Sequence, residues 1–137
     1  MKYLVLIGRL IFGGWFVVNG LNHWFNFFPQ PMGQSHLGLE LVTALIDSHL
    51  FDVVKAIEAV AGVLILINRF TPLALNACLP ISVVIFYWNV ILEGNQAGLI
   101  AGSVTLGLNA LLMLAYLPAY TSVLAWRSRL VGSTSAA

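Results

Sequence analysis

The chain has 137 residues, of which 60% are hydrophobic and only 8% charged, against the ~25% charged residues of an ordinary soluble domain. This excludes a water-soluble fold and indicates an integral membrane protein, with length for about four segments of the ~20 residues that cross a bilayer. A net charge of +1 from scattered cations gives no basic face, so nucleic acid is excluded and the lipid bilayer is the first expected partner.

The N-terminus, Met1-Lys2-Tyr3 before an apolar run, has the look of a signal peptide. Arg9 interrupts the run and no small-residue cleavage site follows, so it reads as a retained first span over about residues 4–21. Its glycines at 8, 13, 14 and 20 suit close helix packing. At 100° per residue, Arg9, Phe16, Asn19, Gly20 and His23 share one stripe, which should face other helices rather than lipid.

Trp24 to Pro31 is an aromatic and proline-containing stretch suited to the membrane-water interface. Residues 35–48 mix leucines with His36, Glu40 and Asp47, too short and polar to span, and predict a short interfacial helix in the first loop. The second span, about 50–67, places Asp52, Lys55, Glu58 and Gly62 at spacings of three to four residues along one face. Thr71-Pro72 reads as an N-cap and first helical position opening a third span over about 72–92. Pro80 inside that span predicts a kink. After the polar turn Glu93-Gly94-Asn95-Gln96, a fourth span over about 97–117 starts on a Gly98-xxx-Gly102 face and ends at Pro118. The fold class expected is an all-α membrane protein, a single four-transmembrane-helix bundle over 1–130, with a flexible C-terminal tail at 131–137.

One cysteine, Cys78, permits neither an internal disulfide nor a CxxC redox pair. Lys2, Arg69, Arg127 and Arg129 fall on one side of this topology, whereas the connections 23–49 and 93–96 contain no Lys or Arg. Both termini are therefore expected in the cytoplasm, with the protein in the cell inner (plasma) membrane.

Charges at bilayer depth cost at least ~2.5 kcal/mol each and so need partners or a purpose. At ~1.5 Å per residue, Arg9 lies ~10 Å above Lys2 and Glu58 ~16 Å above Arg69, which predicts an Arg9 to Glu58 pair. By the same estimate Lys55 pairs with Asn19 or Asp52. The candidate site is thus a buried polar network or ligand-binding site of Arg9, Asn19, His23, Asp52, Lys55 and Glu58, open to three readings. It holds the first two helices in register, lines a pocket for an anionic or polar ligand, a quinone head group or a lipid, or transfers protons. No catalytic residue is assigned. His23, His36 and His49 have no i, i+4 metal spacing and lie outside the spans, so neither a metal site nor haem is expected.

Three segments carry a family resemblance: Gly8-Arg9-Leu10-Ile11-Phe12-Gly13, Gly20-Leu21-Asn22-His23, and the run from Ile57-Glu58-Ala59-Val60-Ala61-Gly62 through Asn68-Arg69-Phe70-Thr71-Pro72 to Leu75. Together they resemble the DoxX family over nearly the whole chain. In that pattern the arginine of the first span, the Gly-x-x-His at its end, the Glu-x-x-x-Gly and the short Arg-containing loop correspond to Arg9, Gly20, His23, Glu58, Gly62 and Arg69. Close relatives carry an Asn and a later His after the third-span proline; here Pro80 is followed by Val84 and Asn89 at those places. The resemblance implies a four-helix membrane protein whose relatives include a membrane subunit of a thiosulfate:quinone oxidoreductase, redox-stress complexes and membrane chaperones. The function expected is a non-catalytic subunit or accessory factor of a quinone-linked membrane redox complex, in contact with that enzyme or with copies of itself. The alternative is a stand-alone quinone- or lipid-binding enzyme or carrier using the Arg, Lys and Glu network.

Overall fold

Helix α1 (Lys2–Phe25) continues past the expected end at Leu21, since Leu21 to Phe25 contain no helix breaker. It stops where Asn26 turns left-handed (φ 51°) with its amide bonded to the Asn22 carbonyl. The protein is described here from a computed structural model, over residues 1–127 and 132. Helix α2 (His36–Asp47) begins at the N-cap Ser35, whose hydroxyl accepts the Gly38 amide. Helix α3 (Leu50–Leu66) follows almost at once, and α4 (Thr71–Phe86) starts after the turn at Asn68-Arg69-Phe70. Thr71 is not the N-cap: Phe70 holds that position, and the Thr71 hydroxyl donates to Asn68 Oδ1 at 3.1 Å.

Pro80 lies inside α4 without ending it. The departure from α geometry comes later, at Tyr87–Glu93, which forms a π-helical segment closed by the Gly94 amide on the Asn89 carbonyl at 3.1 Å. Helix α5 (Gln96–Ala115) is capped by Asn95, and a short α6 (Leu117–Tyr120) follows, with Pro118 in its first turn rather than at the end of α5. No strand occurs among the described residues. The proposed tail at 131–137 lies outside them except for Gly132, as does Arg129.

Helix α1 packs along α3, α3 along α4, α4 along α5, and α5 returns to α1. The core is Phe12, Phe16, Ala61, Ile65, Ala74, Leu75, Cys78 and Leu112. The α1–α3 seam is made by glycine. A side-chain carbon on Gly20 would sit 2.5 Å from the Ala59 amide nitrogen, and one on Gly62 would sit 2.8 Å from the Gly13 carbonyl oxygen. Gly98 and Gly102 press against Asn89 and Phe86, so this small-residue face serves packing within the chain. Buried Asn109 donates to Ser82 Oγ at 3.1 Å, joining α5 to α4.

Leu4, Ile7, Leu10, Ile11, Leu73, Val83, Leu111 and Leu114 are exposed on the outside, a surface that suits lipid. Three helices have the length and apolarity to cross a membrane: Lys2–Phe25, Thr71–Glu93 and Gln96–Ala115. With 17 residues that include Asp52, Lys55 and Glu58, α3 is not among them.

Candidate functional site

The three charges on α3 fall on one face by sequence spacing, and the fold separates them into two clusters. Lys55 Nζ donates to Glu58 Oε2 at 2.8 Å, with the two side chains only 9% and 3% exposed. The ammonium also lies 5.0 Å from the centroid of the Phe51 ring, a favourable cation–π placement. Toward the start of the helix, the Asp52 carboxylate pairs with two imidazoles, His23 Nε2 at 2.5 Å and His49 Nδ1 at 3.1 Å. The His23 ring stands edge-on to Phe51, 5.2 Å between centroids. Phe51 therefore sits between the wet His–Asp cluster and the buried ion pair.

Arg9 does not reach Glu58. Its Nε donates to the Ile65 carbonyl and its Nη2 to the Leu66 carbonyl, each at 3.1 Å. Two causes set these partners. A pair at i, i+3 on one helix needs no alignment between helices, so Lys55 takes Glu58. The last carbonyls of α3 lack i+4 amide donors, Ile65 keeping only a long bond from the Asn68 amide at 3.3 Å, and a planar guanidinium suits two of them at once. Asn19 does not bond Lys55 either; it turns back to donate to the Trp15 carbonyl at 2.9 Å. Of the six residues expected in one network, the structure pairs Lys55 with Glu58 and His23 with Asp52, and leaves Arg9 and Asn19 on backbone carbonyls.

Arg9→Met should accordingly destabilise the protein by ~1–3 kcal/mol, the cost of leaving the partly buried Leu66 carbonyl without its donor and the Ile65 carbonyl with only the Asn68 amide at 3.3 Å. Arg9→Lys should recover less than half of that, because a point charge cannot serve two carbonyls as a fork does. Unfolding by denaturant in detergent measures both. A lysine variant as stable as the parent would contradict the capping role.

Lys55 and Glu58 line a cavity of about 860 Å³, within the ~300–1,000 Å³ of typical ligand pockets. Its walls are Trp15, Phe16 and Asn19 of α1, Phe51 and Val54 of α3, Ile81 and Ile85 of α4, and Ala101 and Thr105 of α5. Val42 and Leu45 of α2, with the loop from Phe28 to Gln34, form the roof.

Two residues that hold this roof carry no helical spacing to mark them. Glu93, at the end of the π-helical segment, accepts the Gln34 amide at 2.7 Å and the Ser35 hydroxyl at 2.7 Å. Trp88 Nε1 donates to the Gly38 carbonyl at 3.1 Å. Gly33, at φ +88°, and Gly38 pack so close to the Glu93 carboxylate that neither has room for a side chain. Fifty or more residues separate these partners, so no local pattern reveals them. Asn22 was also missed as a structural anchor: it is buried, and its Oδ1 accepts the Phe28 amide at 2.9 Å, fixing the aromatic loop. An asparagine in the last turn of a helix before prolines was the available signal.

Chemically, the ion pair presents a donor and an acceptor side by side. The ammonium has three protons, of which one is directed to Glu58, and the carboxylate has a second oxygen beyond the one Lys55 takes. A head group with carbonyl and hydroxyl functions can use both. An anionic head would gain from Lys55 and be repelled by Glu58 in the same step.

A model of the DoxX family matches residues 4–91. The chain belongs to the DoxX family. It is a membrane protein of that family, and the match takes in α1 to α4 and most of the π-helical segment, with Lys55 and Glu58 inside it. In this DoxX protein the α5 wall of the cavity, Ala101 and Thr105, lies beyond the matched residues. No curated protein and no solved structure matches the chain.

Proposed function

We propose that this DoxX protein holds a neutral, membrane-resident amphiphile, of which a quinone is the simplest representative, with its polar head against Lys55 and Glu58. The observation that carries the reading is the opening of a buried, mutually neutralised ion pair onto a cavity of about 860 Å³ walled by apolar side chains. Paired charges that served packing alone would be enclosed by protein on all sides. Holding such a molecule is the work of a non-catalytic subunit of a quinone-linked membrane complex, the setting we propose for it.

In this reading α3 is a fourth crossing, its 17 residues being at the short limit for a spanning helix, and α2 lies at the interface as the roof of the cavity. The bundle sits in the inner membrane with both termini cytoplasmic, supported by Lys2, Arg69 and Arg127 at one end and His23, His36 and His49 at the other.

A short-chain benzoquinone titrated into nanodisc-embedded protein tests the reading. Saturable binding is expected, and it should disappear in the double variant Lys55→Met/Glu58→Leu while that variant still melts cooperatively. Binding that is unsaturable, or unchanged in the double variant, would overturn it.

A further inference from the structure

Helices α1 and α5 touch where the α-carbon of Gly8 faces Leu112, and they part toward Trp15 and Ala101. The gap forms a second cavity, of about 510 Å³, lined by α1 and α5 alone. Its rim is apolar and open to the outside: Leu10, Ile11 and Ile100 are all more than half exposed. Its floor is Phe12, which is buried. Trp15, Ala101 and Thr105 line both this cleft and the main cavity. The two spaces therefore adjoin across these three side chains, with no helix between them.

We infer that the α1–α5 cleft is a tail subsite, the lateral passage by which the apolar tail of a ligand seated at Lys55 and Glu58 leaves the bundle for the lipid. The inference rests on the head-group reading above and narrows the ligand class to molecules with a long apolar tail. The main cavity has the volume for a drug-sized molecule, so a head group with a short chain fits within it, whereas a long polyprenyl chain overflows. At the cleft the overflow meets the exposed apolar residues Leu10, Ile11 and Ile100 rather than packed helix. The tail gains little free energy from moving between lipid and cleft, since both are apolar. The passage therefore acts by sterics, admitting a long tail without ejecting the head.

Gly14 gives the test. It lines the cleft, and a side-chain carbon there would have no heavy atom within 4 Å. Gly14→Phe thus starts from an unobstructed Cβ and puts a ring into the passage from a position that does not line the main cavity. Binding is measured in nanodiscs for two probes with one ring, a benzoquinone bearing a methyl group and a benzoquinone bearing a long polyprenyl tail. The parent protein should bind both. In Gly14→Phe the long-tailed probe should weaken at least tenfold, with less than a twofold change for the methyl probe and an unchanged melting temperature. If both probes keep their affinity, the cleft is not the tail subsite, although the head-group reading stands. If neither probe binds the parent protein, the head-group reading fails and the subsite falls with it. Equal weakening of both probes would mean that Gly14→Phe disturbs the head site, and would also overturn the passage.

Discussion

Lys55→Met should cost the folded protein ~3–5 kcal/mol, because it leaves the Glu58 carboxylate without its counter-ion in a wall of apolar side chains. The side chain of Glu58 is only 3% exposed, and Lys55 Nζ, at 2.8 Å, is its hydrogen-bond donor among the described residues. Adding Glu58→Leu to that background should recover most of the loss, since a buried ion pair replaced by apolar groups of similar volume is often no less stable. Denaturant unfolding in detergent of the parent, both single variants and the double variant gives the coupling directly. A single variant as stable as the parent, or a double variant no better than the single, would show that the pair is not the buried, mutually dependent unit seen here. The same four proteins distinguish a packing role from a binding role. If the pair serves packing alone, the double variant that restores stability restores everything; if it receives a head group, that variant is stable and binds nothing.

Much of the architecture was legible because membrane helices are long, apolar and punctuated. The composition and the punctuating turns predict four spans, and three of the helices at those places have the length and apolarity to cross. The segment at 35–48 mixes leucines with His36, Glu40 and Asp47, and α2 spans His36–Asp47. The family resemblance likewise rested on residues that stand where a motif needs them, and the matched region contains all but the last of the helices that wall the cavity. The pairing of charges was not legible. Depth arithmetic brought Arg9 and Glu58 to one level, but level does not fix partners when a lysine three residues away on the same helix can reach first. Nor could spacing reveal that Arg9 would cap the end of α3, since backbone carbonyls leave no mark in a sequence. The roof was hidden for a related reason: Glu93 and Trp88 act on Gln34, Ser35 and Gly38 from fifty or more residues away, and only the folded chain brings them together. The π-helical segment that aims both of them had no proline at its start to announce it, Pro80 lying seven residues before Tyr87.

Gly62→Leu should be at least as damaging as loss of the ion pair, for a different reason. A side-chain carbon at Gly62 would lie 2.8 Å from the Gly13 carbonyl oxygen, 2.8 Å from the Val17 amide nitrogen and 2.8 Å from Val17 Cγ2. Two of those atoms are backbone, so no rotamer change relieves the contact, and α1 must move away from α3. Overpacking of a filled site costs ~1–3 kcal/mol where side chains can adjust, and more where they cannot. In a bilayer the loss is not softened by a hydrophobic drive to keep the helices together, because lipid solvates the separated faces equally well. The consequences extend beyond stability. Separating the seam draws Arg9 off the Ile65 and Leu66 carbonyls and shifts Phe16 and Asn19 relative to Lys55, so head-group binding should fall together with the melting temperature. Gly107→Ala is the matched control: its added carbon meets no heavy atom within 4 Å, and replacing a mid-helix glycine should stabilise by ~0.5–1 kcal/mol. A Gly62→Leu protein that melts with the Gly107→Ala control would mean that α1 and α3 are not held at backbone contact, and the geometry that turns Lys55 and Glu58 toward the cavity would lose its support.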